Sequence, residues 1–167
     1  MHVQAMDFIA ASAAGLSPQS VLEIGSLDIN GSVRPLFAGA ATYHGLDLVA
    51  GDGVDEVADA ATWDPGDRRF DLVVSAEVLE HAPAWRDVLG TMWRAPRPSI
   101  QTMAFISGAP AASTATVPDH WAVTATPLTS VAAAEVRSVL AEWGVPTWAL
   151  EVHRDRGDLY LRVLKPR

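Results

Sequence analysis

The stretch Phe70-Asp71-Leu72-Val73-Val74-Ser75 decides the fold, because it carries the clearest strand signal in the chain. Its apolar and β-branched side chains form a short run of the kind that fills a buried strand. An earlier run, Val21-Leu22-Glu23-Ile24, has the same character and is closed by Gly25. These two runs predict a buried sheet, and the segments around them predict how its strands are connected.

Strand and helix signals alternate along the rest of the chain. Strands are predicted at 21–24, 42–47, 54–59, 70–75, 99–107, 145–153 and 159–164, and helices at 3–14, 32–38, 84–94 and 131–143. The last two strands are joined by a hairpin turn at 155–158. This order predicts an α/β fold with a mostly parallel sheet, helices on both faces and an antiparallel strand near the end.

Length and composition predict a single domain over residues 1–167. The 167 residues are 49% hydrophobic and 19% charged, which is typical of a globular chain, and we find no repeat or linker. Residues 1–17 are predicted to form an amphipathic N-terminal helix. Residues 108–130, rich in Ala, Thr, Ser and Pro, are predicted to form a long loop near the substrate side, and loops of that length are often functional.

The charge and the cysteine content limit the function. The net charge is −8, from 20 acidic and 12 basic residues, and no basic run occurs, which argues against nucleic acid and favours a small neutral or cationic substrate. The absence of cysteine excludes disulfides, thiolate zinc sites and a cysteine nucleophile. The five histidines are scattered without metal-ligand spacing, so no metal site is predicted.

The N-terminus does not have the pattern of a secretory signal. No Lys or Arg precedes its apolar run, and Asp7 interrupts that run. No segment is apolar for long enough to span a bilayer. The interpretation is a cytoplasmic protein without a membrane segment.

Ligands of open parallel sheets bind outside the carboxyl ends of the strands, so the loops that follow the strands are the candidate sites. The loop after the first strand contains Gly25, Ser26, Leu27, Asp28 and Asn30. Glycine permits a close backbone approach, and amides in such a turn favour a carboxylate or phosphate, whereas Asp28 suits a cationic amine. The alternative is an ordinary strand-to-helix turn.

Two further loops offer acids at strand ends. Asp47, followed by Leu48, lies 24 positions after Glu23, a separation in keeping with an acid that binds the ribose hydroxyls of an adenosine. Asp59 could accept a hydrogen bond from an adenine amino group while Ala60 leaves room for the ring. The alternatives are a solvated Asp47 and a plain acidic surface around Asp59.

The segment after the strongest strand runs from Ser75 through Ala76 and Glu77 to His81. It begins where the reacting group of a bound ligand is expected. His81 could act as a general base near neutral pH, with Glu77 or Glu80 orienting it. The alternative is a histidine that serves only the start of a helix or the core.

Taken together, these segments resemble the class I S-adenosylmethionine-dependent methyltransferases, particularly the type-11 methyltransferase-domain group. The matching stretches are Val21-Leu22-Glu23-Ile24-Gly25-Ser26, Tyr43-His44-Gly45-Leu46-Asp47-Leu48, Gly53 to Ala60, Phe70 to His81 and Asp119-His120-Trp121. The resemblance implies a Rossmann-like, doubly wound sheet of seven strands with the last strand antiparallel. It also implies S-adenosyl-L-methionine as the cofactor.

The resemblance implies a role for each loop. Gly25 and Ser26 line the methionine part, Asp47 holds the ribose, Asp59 and Ala60 contact the adenine, and Ser75 and Glu77 lie beside the methionine end. The full set of predicted cofactor-binding residues is Glu23, Gly25, Ser26, Leu27, Asp28, Asn30, Asp47, Leu48, Asp59, Ala60, Ser75, Ala76 and Glu77.

Two departures from the family pattern stand out. Leu27 and Ile29 occupy positions where the first motif usually carries further glycines, with Asn30-Gly31 following them. Arg97-Pro98-Ser99 stands where the family usually has a Pro-Gly-Gly turn, which mainly shapes the chain. The first departure bears on how closely the backbone approaches the cofactor.

The sequence leaves three functions open. The first is methyl transfer to a small-molecule acceptor, with His81 or His120 as the base where the acceptor needs one; the alternative for His120 is a packed loop residue beside Trp121. The second is a catalytically silent binding or scaffold subunit of the same fold. The third, a nicotinamide-dependent oxidoreductase, lacks the GxGxxG spacing that seats a pyrophosphate. Because little sequence lies outside the core fold, we expect an open substrate face that a homodimer or a partner protein could complete.

Overall fold

The computed structural model describes residues 3–106, 131–155 and 158–164. Its strands, in chain order, are β1 (Ser20–Ile24), β2 (Thr42–Asp47), β3 (Glu56–Val57), β4 (Phe70–Ala76), β5 (Pro96–Ile106), β6 (Leu150–Asp155) and β7 (Asp158–Leu164). They form one seven-stranded sheet in the order β3-β2-β1-β4-β5-β7-β6. Strands β1 to β5 pair in parallel, and β7 is antiparallel to both of its neighbours. The predicted α/β fold with a parallel sheet is confirmed.

Helices cover both faces of the sheet. They are α1 (Val3–Ala13), α2 (Trp85–Arg94) and α3 (Ala133–Glu142). Ile9 of α1 packs with Val21 and Leu72 on one face, whereas α2 and α3 enclose the larger core around Leu22 and Val73 on the other. Because successive strand residues point to opposite faces, the continuous apolar runs at β1 and β4 fill both cores at once.

Two elements are shorter than the sequence indicated. The predicted helix 32–38 is only a 3₁₀ turn, Arg34–Phe37, with Pro35 in its first turn and the Ser32 hydroxyl accepting the Arg34 N–H at 3.0 Å. The predicted strand 54–59 is reduced to Glu56–Val57, because the flanking Asp55 and Asp59 accept backbone N–H groups through their side chains, from Gly45 of β2 and from Ala61.

The C-terminal hairpin begins later than the sequence indicated. Residues Thr147–Ala149, after Pro146, form a 3₁₀ turn, and β6 starts at Leu150. The predicted loop 108–130 lies outside the described residues, as do two residues of the predicted turn at 155–158. Among the helices that the structure describes, none is long and apolar enough to cross a bilayer.

Candidate functional site

A cavity of about 450 Å³ opens at the carboxyl ends of β1, β2, β3 and β4. Its volume lies within the range of small-molecule and cofactor sites, about 300–1,000 Å³. The site is where open parallel sheets bind ligands, beside the point at which the strand order reverses between β1 and β4. The four loops that follow these strands therefore form one site.

The first loop turns sharply at Gly25, and the turn requires glycine. Gly25 has φ +79°, and a Cβ added there would lie 2.0 Å from Cγ2 of Val78, which follows β4. The N–H groups of Gly25 and Ser26 donate to the carbonyl of Leu46, at 2.8 Å and 3.2 Å. The loop after β1 is thus held between β2 and the segment after β4, with its backbone along the cavity.

Asp47 joins the first loop to the end of β2. Its Oδ2 accepts the N–H of Leu27 at 3.0 Å, and its Oδ1 accepts the N–H of Val49 at 3.2 Å. An ionised carboxylate has about four lone-pair sites, so two amides leave acceptor capacity for ligand hydroxyls. The same carboxylate can therefore shape the cavity and bind within it.

Glu23 is a buried acid on the cavity wall. Only 2% of its surface is exposed, and its Oε2 accepts a hydrogen bond from the Tyr43 hydroxyl at 2.8 Å. Burial raises the pKa of Glu23 to about 7, against the lowering effects of the Tyr43 hydrogen bond and of the Arg34 charge. A carboxyl poised near neutral pH inside a cleft is typical of a functional site.

The segment after β4 brings Glu77 and His81 to the same cavity. Glu77 has φ +57°, and such strained conformations of residues other than glycine persist where the surrounding structure dictates them, often at functional sites. Burial lowers the pKa of His81 below its ordinary value, while the nearby Glu77 charge raises it. His81 is therefore predominantly neutral at pH 7 and able to accept a proton.

The loop after β3 is fixed by a cluster that lies beside the cavity. The carboxylate of Glu56 accepts from Trp63 Nε1 at 2.7 Å and from Arg68 at 2.8 Å, and it lies 2.9 Å from His44 Nε2. The hydrogen bond from Arg68 is the main cause of a Glu56 pKa lowered to about 2. Because Glu56 and Trp63 flank the cavity residue Asp59 in sequence, their bond ties down both ends of this loop.

Most of the predicted cofactor residues line this one cavity. They are Glu23, Gly25, Ser26, Leu27, Asn30, Asp47, Leu48, Asp59, Ala60, Ala76 and Glu77, and the predicted base His81 joins them. Asp28 does not line it: its carboxylate accepts the Gly31 N–H at 2.9 Å and closes a turn. Ser75 does not line it either and is buried within β4. His120 lies outside the described residues.

Sequence reasoning missed the apolar part of the wall and the group that holds Glu23. The additional lining residues include Ile29, Val49, Ala58, Ala61, Val78 and Val88. Their side chains carry no chemical signature, and only their positions beside predicted site residues could have indicated them. Tyr43 could have been found from register, because it pairs with Val21 in the β1–β2 ladder and so shares a sheet face with Glu23.

The described wall of the cavity is acidic. It carries four carboxylic acids, Glu23, Asp47, Asp59 and Glu77, and no Lys or Arg among the described lining residues. Such a wall attracts a cationic ligand and repels a polyanion. No group of three or more His, Asp or Glu side chains suited to a metal ion occurs within the described part of the chain.

No protein-family model matches the chain, and no curated protein matches it. Solved structures do match. The N-methyltransferase NodS from Bradyrhizobium japonicum WM9, solved with S-adenosyl-L-homocysteine, superposes with a TM-score of 0.66 at 16% identity over 98% of this chain and 86% of that chain. DhpI, solved with S-adenosylhomocysteine, gives 0.66 at 23% identity over 100% of this chain and 89% of that chain.

A third similar structure is phosphoethanolamine N-methyltransferase 2 from Haemonchus contortus, solved with S-adenosyl-L-methionine. It gives a TM-score of 0.69 at 14% identity over 98% of this chain, which spans 52% of that chain. Identities this low establish the architecture alone. The fold of this chain is that of the class I S-adenosylmethionine-dependent methyltransferases.

Proposed function

We propose that the protein binds S-adenosyl-L-methionine and transfers its methyl group to a small-molecule acceptor. The observation that carries the proposal is the acidic cavity at the ends of β1 to β4, with no described Lys or Arg on its wall. The cofactor bears a sulfonium, an ammonium and a carboxylate, and an acidic wall complements its net positive charge. Nicotinamide dinucleotides carry a pyrophosphate that the same wall would repel, so the charge argues against the oxidoreductase alternative.

The residues present fit this cofactor. A Cβ at Gly25 would lie 2.0 Å from the lining residue Val78, so glycine keeps the backbone of this part of the wall open to a ligand. Asp47 would hold the ribose, Asp59 and Ala60 the adenine, and Gly25, Ser26 and Glu77 the methionine part. Leu27 and Ile29, which replace the usual glycines, also line the cavity without filling it.

The cofactor supplies an electrophilic methyl group on sulfur, and the protein aligns an acceptor with it. Alignment alone can contribute effective molarities of about 10⁵–10⁸ M. His81 provides a neutral imidazole on the same wall, which can take the proton that an amine or hydroxyl acceptor loses. The negative charge of Glu77, which partly offsets the effect of burial on the pKa of His81, stabilises the imidazolium that forms.

Calorimetry followed by a transfer assay tests the proposal. We expect micromolar affinity for S-adenosylmethionine and S-adenosylhomocysteine, and label transfer from methyl-labelled cofactor to a metabolite in an extract. Binding without transfer under these conditions would favour the catalytically silent subunit. The absence of heat with both ligands would overturn the proposal.

Asp47→Ala is expected to weaken S-adenosylmethionine binding by about ten- to a hundredfold. The variant loses the acceptor for the Leu27 and Val49 amides and for the ribose, and hydrogen bonds to charged groups contribute about 1.5–3 kcal/mol each. Calorimetry measures the change. Asp64→Ala is the matched control, because its exposed carboxylate also accepts a backbone amide, from Gly66 at 2.8 Å, but lies off the cavity wall. Unchanged affinity in Asp47→Ala would refute the ribose assignment.

We further propose a partner for the substrate side of this chain and a cytoplasmic location. A similar structure, with a TM-score of 0.64 at 14% identity, is a putative methyltransferase in complex with the Trm112 methyltransferase activator from Haloferax volcanii. A partner protein or a second copy that completes the substrate side of this chain is therefore a reasonable target for pull-down and sedimentation experiments. A cytoplasmic location is proposed on the basis of composition.

A further inference from the structure

Tyr43 does not line the cavity, yet it bonds an acid that does. We propose that Tyr43, with the Arg34 guanidinium over its ring, is a positioning residue that holds the Glu23 carboxylate for the positive charge of the bound cofactor. The inference rests on the proposed function, since it concerns how the same site receives its ligand.

The β1–β2 ladder places the two side chains together. Val21 pairs with Tyr43 and Glu23 pairs with Gly45, so Tyr43 and Glu23 lie on one face of neighbouring parallel strands. The Tyr43 hydroxyl reaches Oε2 of Glu23 at 2.8 Å. A buried carboxylate with a fixed donor has little freedom to rotate, so the hydrogen bond sets its orientation and favours its ionised form.

Arg34 is held over the ring by the turn between β2 and β3. Its Cζ lies 4.5 Å from the Tyr43 ring centroid, and it donates to the carbonyl of Gly53 at 3.2 Å and to Asp55. Asp55 also accepts the N–H of Gly45 at 2.7 Å, which ties this cation to β2. A cation on the ring face draws electron density from the phenol and makes its O–H a stronger donor.

The charges around Glu23 oppose one another. Burial raises its pKa, the Tyr43 hydrogen bond and the Arg34 charge lower it, and Asp28 and Asp47 raise it further. Burial and the Glu23 charge raise the pKa of Tyr43 far above its usual range, so the phenol remains a donor. The other titratable groups on the described cavity wall are Asp59, Glu77 and His81.

Removing the Tyr43 hydroxyl should therefore leave Glu23 protonated over a wider pH range. Tyr43→Phe is expected to bind S-adenosylmethionine about fivefold more weakly than the natural chain at pH 7 and only about twofold more weakly at pH 9, where Glu23 is ionised in both chains and only its orientation is lost. The ratio of the two dissociation constants at each pH is the quantity to compare, because titration of the ligand and of the other wall residues is common to both chains. Isothermal titration calorimetry between pH 6 and pH 9 provides it.

Two controls separate positioning from a general structural effect. The neutral ligand 5′-methylthioadenosine should bind the natural chain and Tyr43→Phe equally, because it presents no charge to Glu23. Tyr160→Phe removes the hydroxyl of the other of the two tyrosines, which packs against Phe8 with ring centroids 5.0 Å apart, and should leave the pH profile of binding unchanged. Carbon-13 NMR of the ligand-free protein should show the Glu23 titration moving to higher pH in Tyr43→Phe alone.

The outcomes distinguish this inference from the function on which it rests. If the natural chain does not bind S-adenosylmethionine at any pH, both fail. If it binds, but the ratio for Tyr43→Phe is the same at every pH or the neutral ligand loses as much affinity, only the role of Tyr43 is refuted. An unchanged Glu23 titration in the NMR experiment would also refute it.

Discussion

The Glu23→Gln variant should lose less stability than the natural chain as the pH rises from 5 to 9. The pKa of Glu23 is raised from 4.5 to about 7 in the folded state, so folding favours the protonated acid. This contribution is fully present below about pH 4.5 and is lost as the pH rises through 7. A shift of this size corresponds to about 3 kcal/mol in the free energy of unfolding, since one pKa unit is about 1.4 kcal/mol.

Urea unfolding between pH 5 and pH 9 measures the effect as a difference of differences. The natural chain should lose up to about 3 kcal/mol more than Glu23→Gln across this range, whatever the amide costs at any single pH. Glu142→Gln changes an exposed glutamate on α3 and should follow the profile of the natural chain. If the free energies of unfolding of Glu23→Gln and the natural chain change in parallel with pH, ionisation of Glu23 does not lower stability and the prediction is wrong.

The smaller loss of stability expected for Glu23→Gln has a functional meaning. A buried acid that destabilises the fold when it ionises is best explained by the ligand that needs it ionised, because natural sequences accept local strain at functional sites. Glu23→Gln should accordingly bind S-adenosylmethionine more weakly, while it loses less stability than the natural chain as the pH rises through 7. Weaker binding together with the smaller loss of stability would distinguish a site residue from a core residue.

The central strands could be predicted from the sequence because packing and propensity agree there. The predicted strand 42–47 matches β2, and the predicted strand at 70–75 extends by one residue to Ala76. Residues such as Leu22, Val73 and Val74 are fully buried, so their apolar character reports their location directly. Beside β3, the side chains of Asp55 and Asp59 accept backbone N–H groups that a longer strand would pair with carbonyl groups. Hydrophobic periodicity does not predict such a replacement.

Part of the candidate site could also be predicted from the types of its side chains. Acids at strand ends, such as Asp47 and Asp59, have polar side chains that the core does not explain, so they indicated a site, and the structure places both on the cavity wall. Asp28 has the same character, but its bond to Gly31 depends on loop geometry that no pattern of residue types encodes. The Tyr43–Glu23 contact depends on the register of β1 with β2, which brings together two residues 20 positions apart in the sequence.

Gly45→Ala, in the middle of β2, should strongly destabilise the fold. A Cβ at position 45 would lie 2.2 Å from the carbonyl oxygen of Gly53 and 2.6 Å from Oγ of Ser26. The nearest atom belongs to backbone, which cannot rotate away as a side chain can. We expect a loss of about 3 kcal/mol or more in the free energy of unfolding, at the upper end of overpacking effects. Thermal and urea unfolding measure it.

Gly39→Ala is the matched control, because a Cβ there meets nothing within 4 Å. It should be neutral or stabilise the chain by up to about 1 kcal/mol, since it only restricts the unfolded state. Gly45 also touches the turns that carry Ser26 and Gly53, so any Gly45→Ala protein that folds at low temperature must move Ser26 or the β2–β3 turn. It should then bind S-adenosylmethionine at least tenfold more weakly, which calorimetry at 10 °C can measure. A stable Gly45→Ala variant with full affinity would contradict the prediction. It would mean that the turns carrying Ser26 and Gly53 pack less closely against β2 than the structure shows.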